Sequence, residues 1–391
     1  MITENDLARL QPLIAEAGVD GWLLFDFRGR NPIAAAVLGP EIVGSRRAYV
    51  LIPPAGTPVA LVHAVDAELW RGWPTGWTKR VWVTREALST ELGALVQGKR
   101  LAVDWSPRGA IPYLDGVPLG VAEFLRDLGA TLVPSADLVT RYCSVWSPAD
   151  RASHRRAAEA IATIAREALA LAGTRAAGDP ITEHALGVWV RERFDRAGLV
   201  TESGPSVSWG PNAARAHYDP TAEESAPITR GALLLLDLWA TEPGGIYADQ
   251  TWMATLGEPS QRTREIWTAV RDARDAAIAL VQERAAANEP LRGADVDDAA
   301  RRVIESRGFE QYFTHRTGHS IDARSLHGAG PHLDNLESRE ERLLIPGVGF
   351  SIEPGIYIPG EIGVRSEVNA YIQPGRAVIT PAEYQRELIV L

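Results

Sequence analysis

Leu233-Leu-Leu-Leu-Asp237 and Tyr247-Ala-Asp-Gln-Thr-Trp252 decide how the second half of this chain is built. Each places an acid at or inside an apolar run, and Asp237 and Asp249 lie 12 residues apart (249 − 237). Pro243-Gly-Gly245 supplies a turn between them. Two antiparallel strands joined there bring both carboxylates onto one sheet face. The same design recurs downstream, with Glu353 after Phe350-Ser-Ile352 and Glu367 inside Val364-Arg-Ser-Glu-Val-Asn-Ala-Tyr371. Pro359-Gly360 lies between these two glutamates, so the spacing predicts a second hairpin bearing two acids. Four of the eight histidines, His315, His319, His327 and His332, fall just upstream.

A carboxylate carried into an apolar strand is costly unless it is paired or bound to a cation. Four of them converging without cations would mostly protonate. Two divalent ions remove that conflict, and an oxygen-rich donor set with one imidazole suits Mn, Co, Fe or Zn. Taken alone, Asp237 reads as a strand-end turn acid and Asp249 as a surface residue. His315 and His319 sit at i and i+4, yet no His-Glu-x-x-His is present, and Thr314, Thr317 and Gly318 disfavour a helix. His319 is therefore read as the ligand and His315 as a supporting histidine.

Outward from these segments, helices are expected over 181–198, 261–287 and 294–306. Strands are expected near 203–209, 231–239, 247–256, 348–358, 363–373 and 377–380. Helices grouped apart from hairpin-like strands indicate α+β architecture. Ser147-Pro-Ala-Asp150 reads as a helix start, and Arg151 to Leu171 carries strong helix formers. A domain boundary falls there, giving domains 1–145 and 146–391. The first of these has a helix over Asp6 to Ala17 and another over Ala122 to Leu128. Between and after them lie short apolar runs at 21–26, 48–52, 59–62, 81–83, 101–103 and 130–133, the pattern of an α/β domain with a mixed sheet.

The chain of 391 residues is 46% hydrophobic and 23% charged, with a formal charge of −10, which is globular composition. No Lys/Arg run forms a nucleic-acid or anionic-membrane patch, so neither partner is expected. Cys143 is the single cysteine, which excludes an intrachain disulfide and a thiolate metal site. The first residues lack the basic and apolar regions of a secretory signal, and no apolar run approaches the ~18 residues needed to span a bilayer. The expected address is cytoplasmic.

The order Asp…Asp…His…Glu…Glu resembles that of the pita-bread metallopeptidases: methionine aminopeptidase, Xaa-Pro aminopeptidase and Xaa-Pro dipeptidase. Phe313-Thr-His-Arg-Thr-Gly-His-Ser-Ile321, Gly349-Phe-Ser-Ile-Glu-Pro-Gly-Ile-Tyr357 and Gly363-Val-Arg-Ser-Glu367 are similar to that family's motif blocks. The likeness covers roughly residues 150–391. The first ~145 residues resemble the creatinase-type amino-terminal domain in size and element order, which points to the proline-peptidase branch. The resemblance implies a pita-bread catalytic domain holding two divalent ions per subunit, with manganese first and cobalt, zinc or iron as alternatives. Asp237, Asp249, His319, Glu353 and Glu367 would be the ligands and a hydroxide bridging the ions the nucleophile. It further implies that Glu353 shuttles a proton, that His217 and His327 orient the scissile carbonyl, and that Arg365 balances the anionic cage.

The implied reaction is hydrolysis of Xaa-Pro bonds in small peptides with proline second, as a dipeptidase ahead of an aminopeptidase acting on longer peptides. A metal-free creatinase-like hydrolase and a non-catalytic binding module of the same fold are the other readings. A homodimer is implied too. Trp239, Trp252, Tyr247 and Tyr218 are the aromatic candidates for seating the proline ring. This chain departs from the family in places. The Asp237–Asp249 and His319–His327 spacings are each one residue longer, and Asp322 stands where a glycine is usual. The first of these predicts a bulge near Gly244-Gly245 to keep both acids inward. The family's usual arginine for the product-side carboxylate has no match in His327-Gly-Ala-Gly-Pro-His332. Arg28, Arg30, Arg46 or Arg47, clustered in Gly/Pro-rich loops of the amino-terminal domain of this or a partner subunit, is expected to supply it.

Overall fold

A computed structural model describes residues 1–215 and 218–391, in two compact units, Met1–Cys143 and Ser144–Leu391. The first unit contains α1 (Glu4–Glu16), β1 (Gly21–Asp26), α2 (Pro32–Leu38), β2 (Ala48–Ile52), β3 (Val59–His63), β4 (Thr78–Trp82), α3 (Arg85–Val96), β5 (Arg100–Val103), α4 (Leu119–Asp127), β6 (Thr131–Pro134) and α5 (Ala136–Cys143). Its sheet runs β4-β3-β2-β1-β5-β6 and is mixed, with β1 antiparallel to β2 and parallel to β5. α2, α3 and α5 were not among the expected helices. Local capping explains two of them. Asn31 Oδ1 accepts from the amides of Ile33 and Ala34 with Pro32 in the first turn, and Thr84 Oγ1 accepts from Ala87 N.

The second unit opens with α6 (Pro148–Arg175), whose start is a capping box: Ser147 Oγ accepts from Asp150 N while the Asp150 carboxylate accepts from Ser147 N. It continues through α7 (Glu183–Arg196), β7 (Ser206–Trp209), β8 (Leu233–Ala240), β9 (Ala248–Thr255), α8 (Gln261–Ala287), α9 (Gly293–Ser306), β10 (Gly349–Ile352), β11 (Gly355–Ile358), β12 (Ile362–Arg365), β13 (Val368–Gln373), β14 (Arg376–Thr380) and β15 (Ile389–Val390). The strands form sheets β15-β9-β8-β7, β10-β13-β14 and β11-β12. Alanines at 157, 158, 162, 165 and 168 make a thin face on α6, which packs with Leu234, Leu236 and Leu238 of β8. The opposite face of β8 and β9 contributes Leu233, Leu235 and Met253 to a core shared with Phe350, Ile352, Val364 and Val368. This is the face that carries Asp237 and Asp249.

Two expectations need correction. The β8–β9 ladder runs without interruption from Leu233↔Thr255 to Ala240↔Ala248, so no bulge is required. Asp237 lies opposite Thr251, and Asp249 is two residues from Thr251, so an even spacing already places both acids on one face. The extra length is taken up in the loop, where Gly244 has φ +74 and Gly245 N donates to Glu242 O. The segments 348–358 and 363–373 are not single strands either. Each breaks at its acid: Glu353-Pro354 separates β10 from β11, and Ser366-Glu367 separates β12 from β13. The ladder pairs Ile352↔Val368 on one side of these breaks and Gly355↔Arg365 on the other. Pro354 has no amide hydrogen to give to a ladder, and the switch between sheets turns both glutamates toward the same point.

Among the described residues no helix is long and apolar enough to cross a membrane.

Candidate metal centre

β9 delivers Asp249, the 317–320 segment delivers His319, and the β12–β13 break delivers Glu367. One ligand atom from each lies within 4.8 Å of the others, and all three residues are buried. Gly318 makes this approach possible: a Cβ there would stand 2.0 Å from the carbonyl oxygen of Ser351. The 317–319 segment runs beside β10, with Ser351 N donating to His319 O at 2.8 Å and Glu353 N to Thr317 O at 2.7 Å. His319 N donates to Ser351 Oγ, and that hydroxyl donates to Glu353 Oε1 at 3.0 Å.

The His319 ring has its Nδ1 3.0 Å from the Ser320 carbonyl, an acceptor that calls for a proton on Nδ1. Its Nε2 then faces Asp249 Oδ2 at 3.2 Å and Glu353 Oε1 at 3.5 Å. A lone pair aimed at two carboxylates is repulsive unless a proton or a metal cation stands between them. The His327 ring lies tilted against this one, with centroids 4.1 Å apart. Asp237 is paired with Arg365, whose Nε donates to Thr251 Oγ1 at 2.7 Å. Thr251 in turn donates to Glu367 Oε2 at 2.8 Å.

Thus Asp249, His319, Glu353 and Glu367 meet, and Asp237 joins them through Arg365. His217 lies outside the described residues. Thr251, Ser351 and Asn369 were not singled out from the sequence. The Asn369 amide clips the Asp249 backbone, accepting from its N–H at 2.9 Å and donating to its carbonyl at 2.8 Å. A buried Asn in the apolar strand Val368–Gln373 was the available signal. Of the aromatic candidates, Trp239 lies opposite Asp249 on the acid-bearing face. Trp252 belongs to the other face and packs in the α6 core, while the Tyr218 hydroxyl is occupied by Glu183.

Burial pushes Asp237 up to about 6 against the pull of Arg365. Burial likewise raises Asp249 despite His319, and burial with Asp249 and Glu353 nearby raises Glu367 well above the carboxylate range. Burial acts on Glu353 in the same sense, but His319 and Arg365 outweigh it and hold this acid low. Burial disfavours a charged His319, yet the hydrogen bond to Asp249 raises it overall.

A sign follows for stability. Acids raised on folding contribute stability that is full below their unfolded values, roughly pH 4, and lost as pH climbs through their folded values. His319 acts in the same sense, and Glu353 opposes it only in acid. The buried His154, pushed down to about 4, with His315 and His332, also held low by burial, opposes it below about pH 6.5. Chelator-treated protein is expected to lose thermal stability between about pH 5 and about pH 8, with the fall passing through the value of about 6 for Asp237. Protein supplied with excess Mn2+ is expected not to share that fall, because a bound cation favours the ionised acids and competes with their protons. Scanning calorimetry under both conditions decides it, and parallel slopes would refute the assignment.

Buried acids gathered at one imidazole between packed sheets define a metal-binding site of the pita-bread class. Residues 151–374 match the model of metallopeptidase family M24, and the chain belongs to that family. The Xaa-Pro dipeptidase of Lactobacillus helveticus is 37% identical over 161 residues, 41% of this chain and 40% of that protein. The Xaa-Pro dipeptidase of Lactobacillus delbrueckii subsp. lactis is 32% identical over 197 residues, 50% of each chain. The matched region thus spans half or less of the length of these curated relatives. The crystal structure of the dipeptidase PepE from Mycobacterium ulcerans matches with a TM-score of 0.75 at 24% identity, covering 99% of this chain and 97% of that one, which establishes the shared fold.

The residues present fit divalent ions. Asp249 Oδ1 and Glu367 Oε1 are buried and have no hydrogen-bond partner among the described residues. Unpaired carboxylate oxygens inside a protein are costly, and a hard cation satisfies them.

Proposed function

We propose that the chain is a metal-dependent Xaa-Pro dipeptidase using two divalent ions, manganese first, held by Asp237, Asp249, His319, Glu353 and Glu367. The observation that carries this reading is the buried Asp249–His319–Glu367 cluster with its unsatisfied oxygens. The names of the Lactobacillus relatives supply the substrate class. Bound ions would supply a water acidified toward neutral pH and would polarise the scissile carbonyl. Glu353, kept ionised by its neighbours and fixed by Ser351, is suited to accept a proton at Oε2 and return it to the leaving nitrogen. His327, whose ring lies 4.1 Å from that of His319, would orient the carbonyl, with His217 as its sequence-assigned counterpart. Arg365 limits repulsion within the cage through Asp237 and Thr251.

An Xaa-Pro bond offers no N–H on the leaving side, so a protease that relies on that donor loses a contact. A site whose attack depends on carboxylates and cations does not need it. Ala-Pro is expected to be cleaved with kcat/KM at least about tenfold above Ala-Pro-Ala-Ala, a difference of ~1.4 kcal/mol. Steady-state kinetics with elemental analysis of the same sample tests this. Preference for the tetrapeptide would move the assignment to an aminopeptidase, and stoichiometric metal with no turnover of either peptide would reject it. A homodimer is part of the same proposal, to be checked by light scattering.

A further inference from the structure

In the amino-terminal unit a cavity of about 300 Å³ opens between the ends of β1, β2 and β4. Phe25, Phe27 and Trp82 line it together with Arg30, Arg46 and Arg47. The volume suits a small organic molecule. Three guanidinium groups around one small cavity repel one another unless an anion joins them.

The nearby carboxylates do not fill that role. Asp26 accepts from the amides of Gly29 and Asn31 at 2.9 and 3.0 Å. Asp66 accepts from Ser45 Oγ and from the backbone amide of Arg46, not from its guanidinium. Asp104, fully buried, takes Trp22 Nε1, Ser135 Oγ and Asn31 Nδ2. The last contact fixes Asn31 in the lining of the cavity, so this wall is rigid. Each acid is spent on neutral donors.

The arginines are spread over apolar and neutral partners instead. Arg30 lies 5.7 Å over the Phe27 ring, Arg47 lies 5.6 Å over the Trp82 ring, and Arg46 Nη1 donates to Ser45. A guanidinium stacked on an aromatic face keeps its planar N–H edges available, and those edges match a carboxylate in bidentate fashion. We propose that this cavity binds a small organic carboxylate, its charged group clamped by Arg30, Arg46 and Arg47 and its apolar body against Phe27 and Trp82.

Two sources share that chemistry: a free organic acid, or the carboxylate end of the peptide substrate. The binding claim does not rest on the peptidase reading, because it can be measured without turnover. Isothermal titration of the full chain with 3-phenylpropionate and with neutral 3-phenylpropanamide is the direct test. The acid is expected to bind at least about tenfold tighter than the amide. Arg30→Ala/Arg47→Ala is expected to abolish that preference, and Arg47→Lys, which retains charge without the fork or the stacking, is expected to weaken binding about tenfold. Equal affinity for acid and amide in the wild-type chain overturns the proposal with no variant needed. Unchanged acid binding in a folded double variant overturns it as well, since the acid then sits elsewhere. Where binding behaves as expected, the KM for Ala-Pro identifies the source. A rise in the double variant at constant kcat assigns the carboxylate to the peptide, and unchanged kinetics assign it to a free acid.

Discussion

Asp249→Asn is expected to lower kcat/KM for Ala-Pro by about 10³-fold or more, because the loss removes several kcal/mol of transition-state charge stabilisation. Asp249 is in contact with His319 and belongs to the cluster with Glu367. Its Oδ1 has no hydrogen-bond partner among the described residues. The amide keeps the shape and can donate to His319 Nε2, but it removes the charge a divalent ion requires. Metal content should fall in the same samples. Stability should move the other way. In chelator-treated protein near pH 8 the wild-type cage holds carboxylates that repel one another, and removing one relieves that repulsion. The metal-free variant is therefore expected to melt at or above the temperature of the metal-free wild type. A variant with full activity, or one that is inactive only because its metal-free form is clearly less stable, would sink the claim that Asp249 is kept for cation binding against the interest of the fold.

How far such a site is readable from sequence depends on the rule involved. Strand periodicity is two, so with Asp237 opposite Thr251 in the register, Asp249 two residues further along shares its face; a hairpin carrying both acids was legible, the register was not. The expected bulge was an over-reading: it measured the spacing against relatives, whereas the register of an uninterrupted ladder sets the face. The α+β class and the mixed amino-terminal sheet were legible from apolar runs and their punctuation. The breaks at Glu353 and Glu367 were not, because β-branched and aromatic residues flank both acids on either side and only Pro354 marks a switch. The same parity separates Trp239 from Trp252, which are on opposite faces of one hairpin.

Partners across distant segments were the least legible. Thr251 receives Arg365 and serves Glu367, 114 and 116 positions away, and Asn369 reaches the Asp249 backbone over 120. Periodicity states which way a side chain points and says nothing about what it meets. α2 and α3 were missed for a different reason: their helicity is fixed by Asn31 and Thr84 at the caps, while the apolar stripes within are short.

Gly318→Ala tests whether backbone proximity, as well as side-chain identity, sets the centre. The new methyl would begin 2.0 Å from the Ser351 carbonyl oxygen and 2.8 Å from its carbon. Neither is the tip of a flexible side chain, so the 317–319 segment must move away from β10 by about 1 Å or more to restore van der Waals separation. That movement strains three linked hydrogen bonds: Ser351 N to His319 O, His319 N to Ser351 Oγ, and Glu353 N to Thr317 O. His319 and Glu353 would shift together, and a displacement of ~1 Å at reacting groups can cost ~10²-fold in rate. Overpacking of this kind also lowers stability by about 1–3 kcal/mol. The expected outcome is a folded protein with weakened metal retention, kcat reduced about 100-fold, and KM for Ala-Pro changed much less, because the peptide's remote contacts are untouched. Metal titration and steady-state kinetics check it at a temperature where circular dichroism shows the native fold. Wild-type kcat with normal metal affinity would mean that His319 reaches its place without the close approach that only glycine permits.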